Sequence, residues 1–155
     1  MGYEVHTVKA AGKDTELDVL QYQFVFVGSG VYMWLPGKPL QELYASLLAK
    51  YHGTGDIKPG SPKRPQLNCV VYCTYGGGHT GINEAVPAIK YMGQLFDHLG
   101  YNILAEWYIV GEYAADNLTE YNIHGRLGDI RGRPNESDLR EVTEKVKGIL
   151  KAVPK

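Results

Sequence analysis

Apolar positions along the chain follow two rhythms. Tyr22 to Gly28 (YQFVFVG), Leu67 to Tyr75 (LNCVVYCTY) and Asn102 to Tyr113 (NILAEWYIVGEY) are short apolar runs rich in β-forming residues, the pattern of buried strands. Tyr3 to Val8 (YEVHTV) predicts a further short strand of mixed alternation. Between the runs, apolar residues recur at helical spacing: Leu40, Leu43, Tyr44, Leu47, Leu48 and Tyr51, then Ala85, Ala88, Ile89, Met92, Leu95, Phe96 and Leu99. A last amphipathic stretch, Glu136 to Leu150, carries Leu139, Val142, Val146, Ile149 and Leu150 on one face.

The punctuation agrees with these elements. Pro36 and Pro39 precede the first helix and Pro87 falls in the first turn of the second, where a missing N–H does little harm. Gly100 is placed to stop that helix. His52 to Gln66 is a Gly/Pro-rich connection, and Asn117 to Pro134 reads as irregular. Strands alternating with helices, three of them near-continuous apolar runs, predict an α/β domain: a parallel sheet with helices on both faces.

In such sheets ligands bind just beyond the carboxyl ends of the strands. Two stretches occupy that place, Gly28 to Leu40 (GSGVYMWLPGKPL) and Thr74 to Gly81 (TYGGGHTG). Each joins glycines to aromatic residues: Tyr32 and Trp34 in the first, Tyr75 in the second. Glycine lets main-chain N–H groups reach a ligand's edge, and aromatic rings can cover its face. A flat heteroaromatic ring suits such a site; the alternative is that the glycines turn the chain and the aromatics cap the core.

Composition narrows the function. The chain of 155 residues fits one domain, and its formal net charge of −1 argues against a nucleic-acid or anionic-membrane surface. No apolar run approaches a membrane span and no secretory leader is visible at Met1 to Ala10, so a cytoplasmic protein is the expectation. Cys69 and Cys73 share one strand face, about 13 Å apart at about 3.3 Å per residue, too far for a mutual disulfide. Both are expected as buried thiols. The turn GGGHTG lacks the GK[ST] ending of a phosphate-binding loop and the GxGxxG fingerprint, and neither GxSxG nor HExxH occurs. Arg126, Arg131 and Arg133 form a small basic cluster, read as a solvated loop beside Asp129 and Glu136. His98 reads as a structural helix-end residue.

At the two strand-end stretches the sequence resembles the flavodoxin-like family, especially flavodoxins and NAD(P)H-dependent FMN or quinone reductases. The resemblance implies FMN contacts from Gly28, Ser29, Val31, Tyr32, Met33 and Trp34 on the first stretch, and from Thr74, Tyr75, Gly76, Gly77, Gly78 and His79 on the second. It implies an oxidoreductase or electron carrier, fed by NAD(P)H or a redox partner and passing electrons to a quinone, a flavin or a protein. One departure is large. Tyr3 to Val8 looks like the family's second strand, and nothing corresponds to the first strand, first helix and FMN-phosphate loop. A weaker hold on flavin, a strand supplied by another chain, a homodimer, or a flavin-free interaction module are the expectations this departure opens.

Overall fold

The computed structural model describes residues 3–153. Its sheet has four strands in the order β2-β1-β3-β4. Strand β1 (Phe24–Tyr32) lies parallel to β3 (Asn68–Tyr75), and β3 lies parallel to β4 (Asn102–Val110). The two-residue β2 (Leu35–Pro36) returns antiparallel onto the end of β1. Helix α1 (Lys38–Gly53) connects β2 to β3, and α2 (Val86–His98) connects β3 to β4. A short helix α3 (Tyr121–His124) and the long α4 (Glu136–Ala152) follow. The fold is α/β with a mostly parallel sheet, as the alternation of rhythms predicts, and its strand order is compatible with a flavodoxin-like arrangement. Among the described residues no helix is long and apolar enough to cross a membrane.

The core explains why these segments form these elements. Leu43, Tyr44, Leu47 and Tyr51 of α1 and Ile89, Met92, Leu95 and Phe96 of α2 pack on Cys69, Val71 and Cys73 of β3, all buried. Both cysteines are free, as expected from their spacing. Burial drives the Cys73 thiol up to about 12, which keeps it protonated and unreactive at neutral pH. Pro39 and Pro87 sit in the first turns of their helices. Gly100 leaves α2 at φ +81, and its carbonyl accepts from Arg64 N at 2.8 Å, docking the long connection before β3.

Two buried tyrosines fasten the chain ahead of β1. The Tyr51 hydroxyl donates to Asp18 Oδ1 at 2.8 Å and accepts from Val19 N at 2.9 Å. The Tyr101 hydroxyl donates to the carbonyls of Val19 and Tyr22. Helix α4 opens on a capping box, Asn135 and Asp138 each accepting from the other's main-chain N–H. Its apolar stripe is only half-buried at Val142, Val146, Ile149 and Leu150, and Leu139 is exposed.

Two sequence expectations are corrected. Tyr3–Val8 is not a strand: it runs as an irregular segment with Val5 77% exposed. Its composition suits a strand, but a strand needs a neighbour's main chain, and a groove separates it from β1. The second correction concerns Gly28–Leu40, expected as a loop. Residues 28–32 continue β1, residues 35–36 form β2, and residues 38–40 already belong to α1. The glycines at 28 and 30 suggest a turn, but in β1 Gly28 makes room for the Tyr72 ring, into which any Cβ would run.

Candidate functional site

The hairpin β1–β2 turns on Met33 and Trp34, whose φ values are +48 and +67. Two successive positive values across a two-residue loop match the mirror-image turn that suits strand twist, which normally draws Asn and Gly. Ser29 secures the return: its hydroxyl accepts from Gly37 N at 2.9 Å and donates to Gly30 O at 2.8 Å. Val31 packs toward the core. Tyr32, Met33 and Trp34 are 65%, 79% and 56% exposed, an unusual display of apolar surface at one tip.

The glycine turn follows β3 directly beside this hairpin. Gly30 stands opposite Thr74 in the parallel register, so Tyr32 and Gly76 each lie two residues beyond the same rung. The first turn residues are covered from within. Gly76 abuts the Tyr113 ring, Gly78 abuts Tyr121, and Gly77, at φ +57, passes so close to Gly81 that a Cβ would meet its backbone at 2.9 Å. These close approaches explain the run of three glycines.

The amides of the turn divide into two groups. Gly78 N donates to the Tyr113 hydroxyl at 3.0 Å. His79 N and Thr80 N both donate to Glu84 Oε1, at 2.7 and 2.6 Å. A carboxylate thus fills the place an anion would take. By contrast, the N–H groups of Gly76 and Gly77 meet no acceptor among the described residues. His79 is exposed and its ring stands 4.8 Å from that of Tyr121. Tyr75 is buried and packs edge-on to Tyr108, so it belongs to the core.

The segment after β4 forms the rim. Asn122 holds Tyr113 through both its amide oxygen (2.7 Å, from Tyr113 N) and its amide nitrogen (3.0 Å, to Tyr113 O). Arg126 N donates to Gly78 O at 2.9 Å. The arginine cluster is largely spent on partners. Arg131 grips Asp129, whose carboxyl falls to about 2 through those hydrogen bonds, and Arg133 pairs with Asp138. Arg126 has no ion-pair partner among the described residues. There, too, no group of three His, Cys, Asp or Glu side chains is arranged to hold a metal.

The structure therefore brings Ser29, Tyr32, Met33 and Trp34 alongside Thr74, Gly76, Gly77, Gly78 and His79, leaves Gly28 inside β1 opposite Tyr72, and turns Val31 and Tyr75 inward. Tyr113, Tyr121 and Glu84 escaped the sequence reading. Only the E at the fourth position after HT hinted at any of them, because a carboxylate there can reach back to free amides. No family model matches the chain, and no curated protein matches it.

Proposed function

We propose that the chain is a flavodoxin-like electron-transfer protein that holds the flat ring of FMN between its hairpin tip and its glycine turn. One observation carries the reading: an exposed aromatic tip stands at the level of two main-chain N–H groups, Gly76 and Gly77, that meet no acceptor among the described residues. The aromatics would cover a ring's face and the amides would meet acceptor atoms on its rim. FMN, when bound, supplies the redox chemistry. Ser29 holds the hairpin in place, and Tyr113 and Tyr121 shield the turn from water.

The residues fit the ring better than the phosphate. The amides of His79 and Thr80, the natural anion cradle of this turn, already carry Glu84, and a phosphate beside that carboxylate would be repelled. Riboflavin should accordingly bind nearly as well as FMN, the difference staying below the roughly tenfold that one charge-assisted hydrogen bond contributes. Fluorescence titration with both flavins measures this. Trp34→Ala should weaken both by about two- to tenfold, the range of an aromatic pair. Reduction of the bound flavin by NADPH would mark a reductase; reduction only through a partner enzyme would mark a carrier.

The second reading is a flavin-free interaction module. The Glu84 carboxylate closing the anion position favours it. Absence of any flavin uptake at high micromolar concentration would decide for it.

A further inference from the structure

The glycine turn holds unspent hydrogen-bond donors. Gly76 and Gly77 are buried, yet neither N–H meets an acceptor among the described residues. Main-chain donors removed from water are nearly always bonded, so two adjacent orphans need an explanation. Tyr113 adds a third donor. Its hydroxyl oxygen accepts from Gly78 N at 3.0 Å, and its own O–H finds no acceptor among the described residues. The ring carbon that carries this hydroxyl would stand 2.4 Å from a Cβ on Gly76, so the phenol end lies directly against that residue. Asn122, itself buried, fixes the position by holding the Tyr113 main chain through both amide atoms. A hydroxyl that accepts one hydrogen bond is a stronger donor in the next.

The charges around the turn differ in how far they are committed. Glu84 spends Oε1 on the amides of His79 and Thr80, at 2.7 and 2.6 Å, which stabilises its charge where it stands. Glu112 accepts from Gly132 N, and Arg131 and Arg133 are paired with Asp129 and Asp138. Arg126 is different. Its main-chain N–H donates to Gly78 O at 2.9 Å, and its Cγ would lie 3.4 Å from a Cβ on Gly81, so the stem rests on the turn. The side chain is exposed, and among the described residues no carboxylate pairs with its guanidinium. The uncommitted charge at this rim is therefore positive.

We propose that Gly76, Gly77, Tyr113 and Arg126 form a rim of donors that binds the reduced flavin ring more tightly than the oxidised one. The inference rests on the flavin reading and adds to it the redox poise of the site. A flavin ring that takes up two electrons and one proton gains one negative charge, carried on its nitrogen and carbonyl edge. The four groups all donate, and one is a cation, so each interacts more strongly with that edge once the charge is there. Glu84 opposes them, but its two short amide bonds already balance its charge. Differential binding of this kind sets the potential: a tenfold preference for the reduced form raises it by about 30 mV for two electrons.

The test uses riboflavin, which carries no phosphate, with the full chain in mildly alkaline buffer. Fluorescence titration gives the affinity of the oxidised form. Anaerobic titration with dithionite against a reference dye gives the two-electron midpoint of the bound form. Reduced riboflavin is expected to bind at least about tenfold more tightly, which places the bound midpoint about 30 mV or more above the free one. Arg126→Gln, at an exposed position, should lose about threefold of that preference, and Tyr113→Phe a similar amount, about 15 mV each. The midpoint separates these roles from a structural one, because a variant that only loosens the turn weakens both forms alike and leaves the midpoint in place. A bound midpoint equal to or below the free one would overturn the inference while leaving flavin binding intact. So would a raised midpoint that neither substitution lowers. Failure of riboflavin to bind in either form would remove the flavin reading and this inference together.

Discussion

Raising the pH above 10 is expected to unfold the protein over a narrow range. Tyr44, Tyr51 and Tyr101 are buried, and burial pushes each hydroxyl well above its ordinary value of 10.0; the bond to Asp18 adds to the effect at Tyr51. Tyr108 is raised to about 12, by burial first and then by Glu106. In the unfolded chain these groups lose their protons near pH 10, whereas the folded chain keeps them. Above that point the folded state binds more protons, so stability is complete below pH 10 and falls as pH rises toward the folded values. Each tyrosine contributes a slope of about 1.4 kcal/mol per pH unit. The three buried ones together give about 4 kcal/mol per unit, against a typical total stability of 5–15 kcal/mol. Circular dichroism should therefore be lost in one step between about pH 11 and 12, together with the last rise in tyrosinate absorbance, that of the buried tyrosines. Tyr101→Phe should be less stable at neutral pH, because two carbonyls lose their donor, yet fall less steeply in alkali. Ionisation of Tyr44, Tyr51 and Tyr101 near pH 10 with the fold intact would contradict this account.

The second large effect is expected at Gly100. A methyl group there would run into the Pro62 carbonyl oxygen and also lie within 3.4 Å of the Arg64 side chain. The φ of +81 adds its own penalty for any residue with a Cβ. Left-handed backbone costs about 1–2 kcal/mol and forced overpacking about 1–3. Gly100→Ala should thus lower stability by about 2–5 kcal/mol in urea unfolding. The loop held by Arg64 N on Gly100 O should become the site of earliest proteolysis. Gly148→Ala is the matched control: it lies inside α4 with open space around its Cβ, and should raise stability by about 0.5–1 kcal/mol.

The buried half of the fold was readable because periodicity and burial agree there. The apolar run around Cys69 and Cys73 became β3, and the spacing of Leu43, Leu47 and Tyr51 became the inner face of α1. Helix boundaries followed Pro39, Pro87 and Gly100, whose backbone limits hold whatever surrounds them. Legibility failed where a residue's meaning depends on a distant partner. Gly28 signals a turn until the Tyr72 ring is known to lie across it. Tyr3–Val8 has strand composition, but composition does not supply a neighbouring strand. At the candidate site, the juxtaposition of the hairpin and the glycine turn followed from the parallel-sheet rule, whereas the closure of two amides by Glu84 depends on a side chain's reach.

The turn at Met33–Trp34 has an implication for redesign. Bulky L-residues in left-handed backbone are a local liability, one that Asn and Gly would relieve. Folding by itself therefore does not account for a thioether and an indole at that apex. Met33→Asn with Trp34→Gly should yield a sturdier but blunter molecule, robust in the melting curve and impaired in whatever the apex touches. A trade of that kind, thermal gain against recognition, would identify the tip as a contact organ held in deliberate tension.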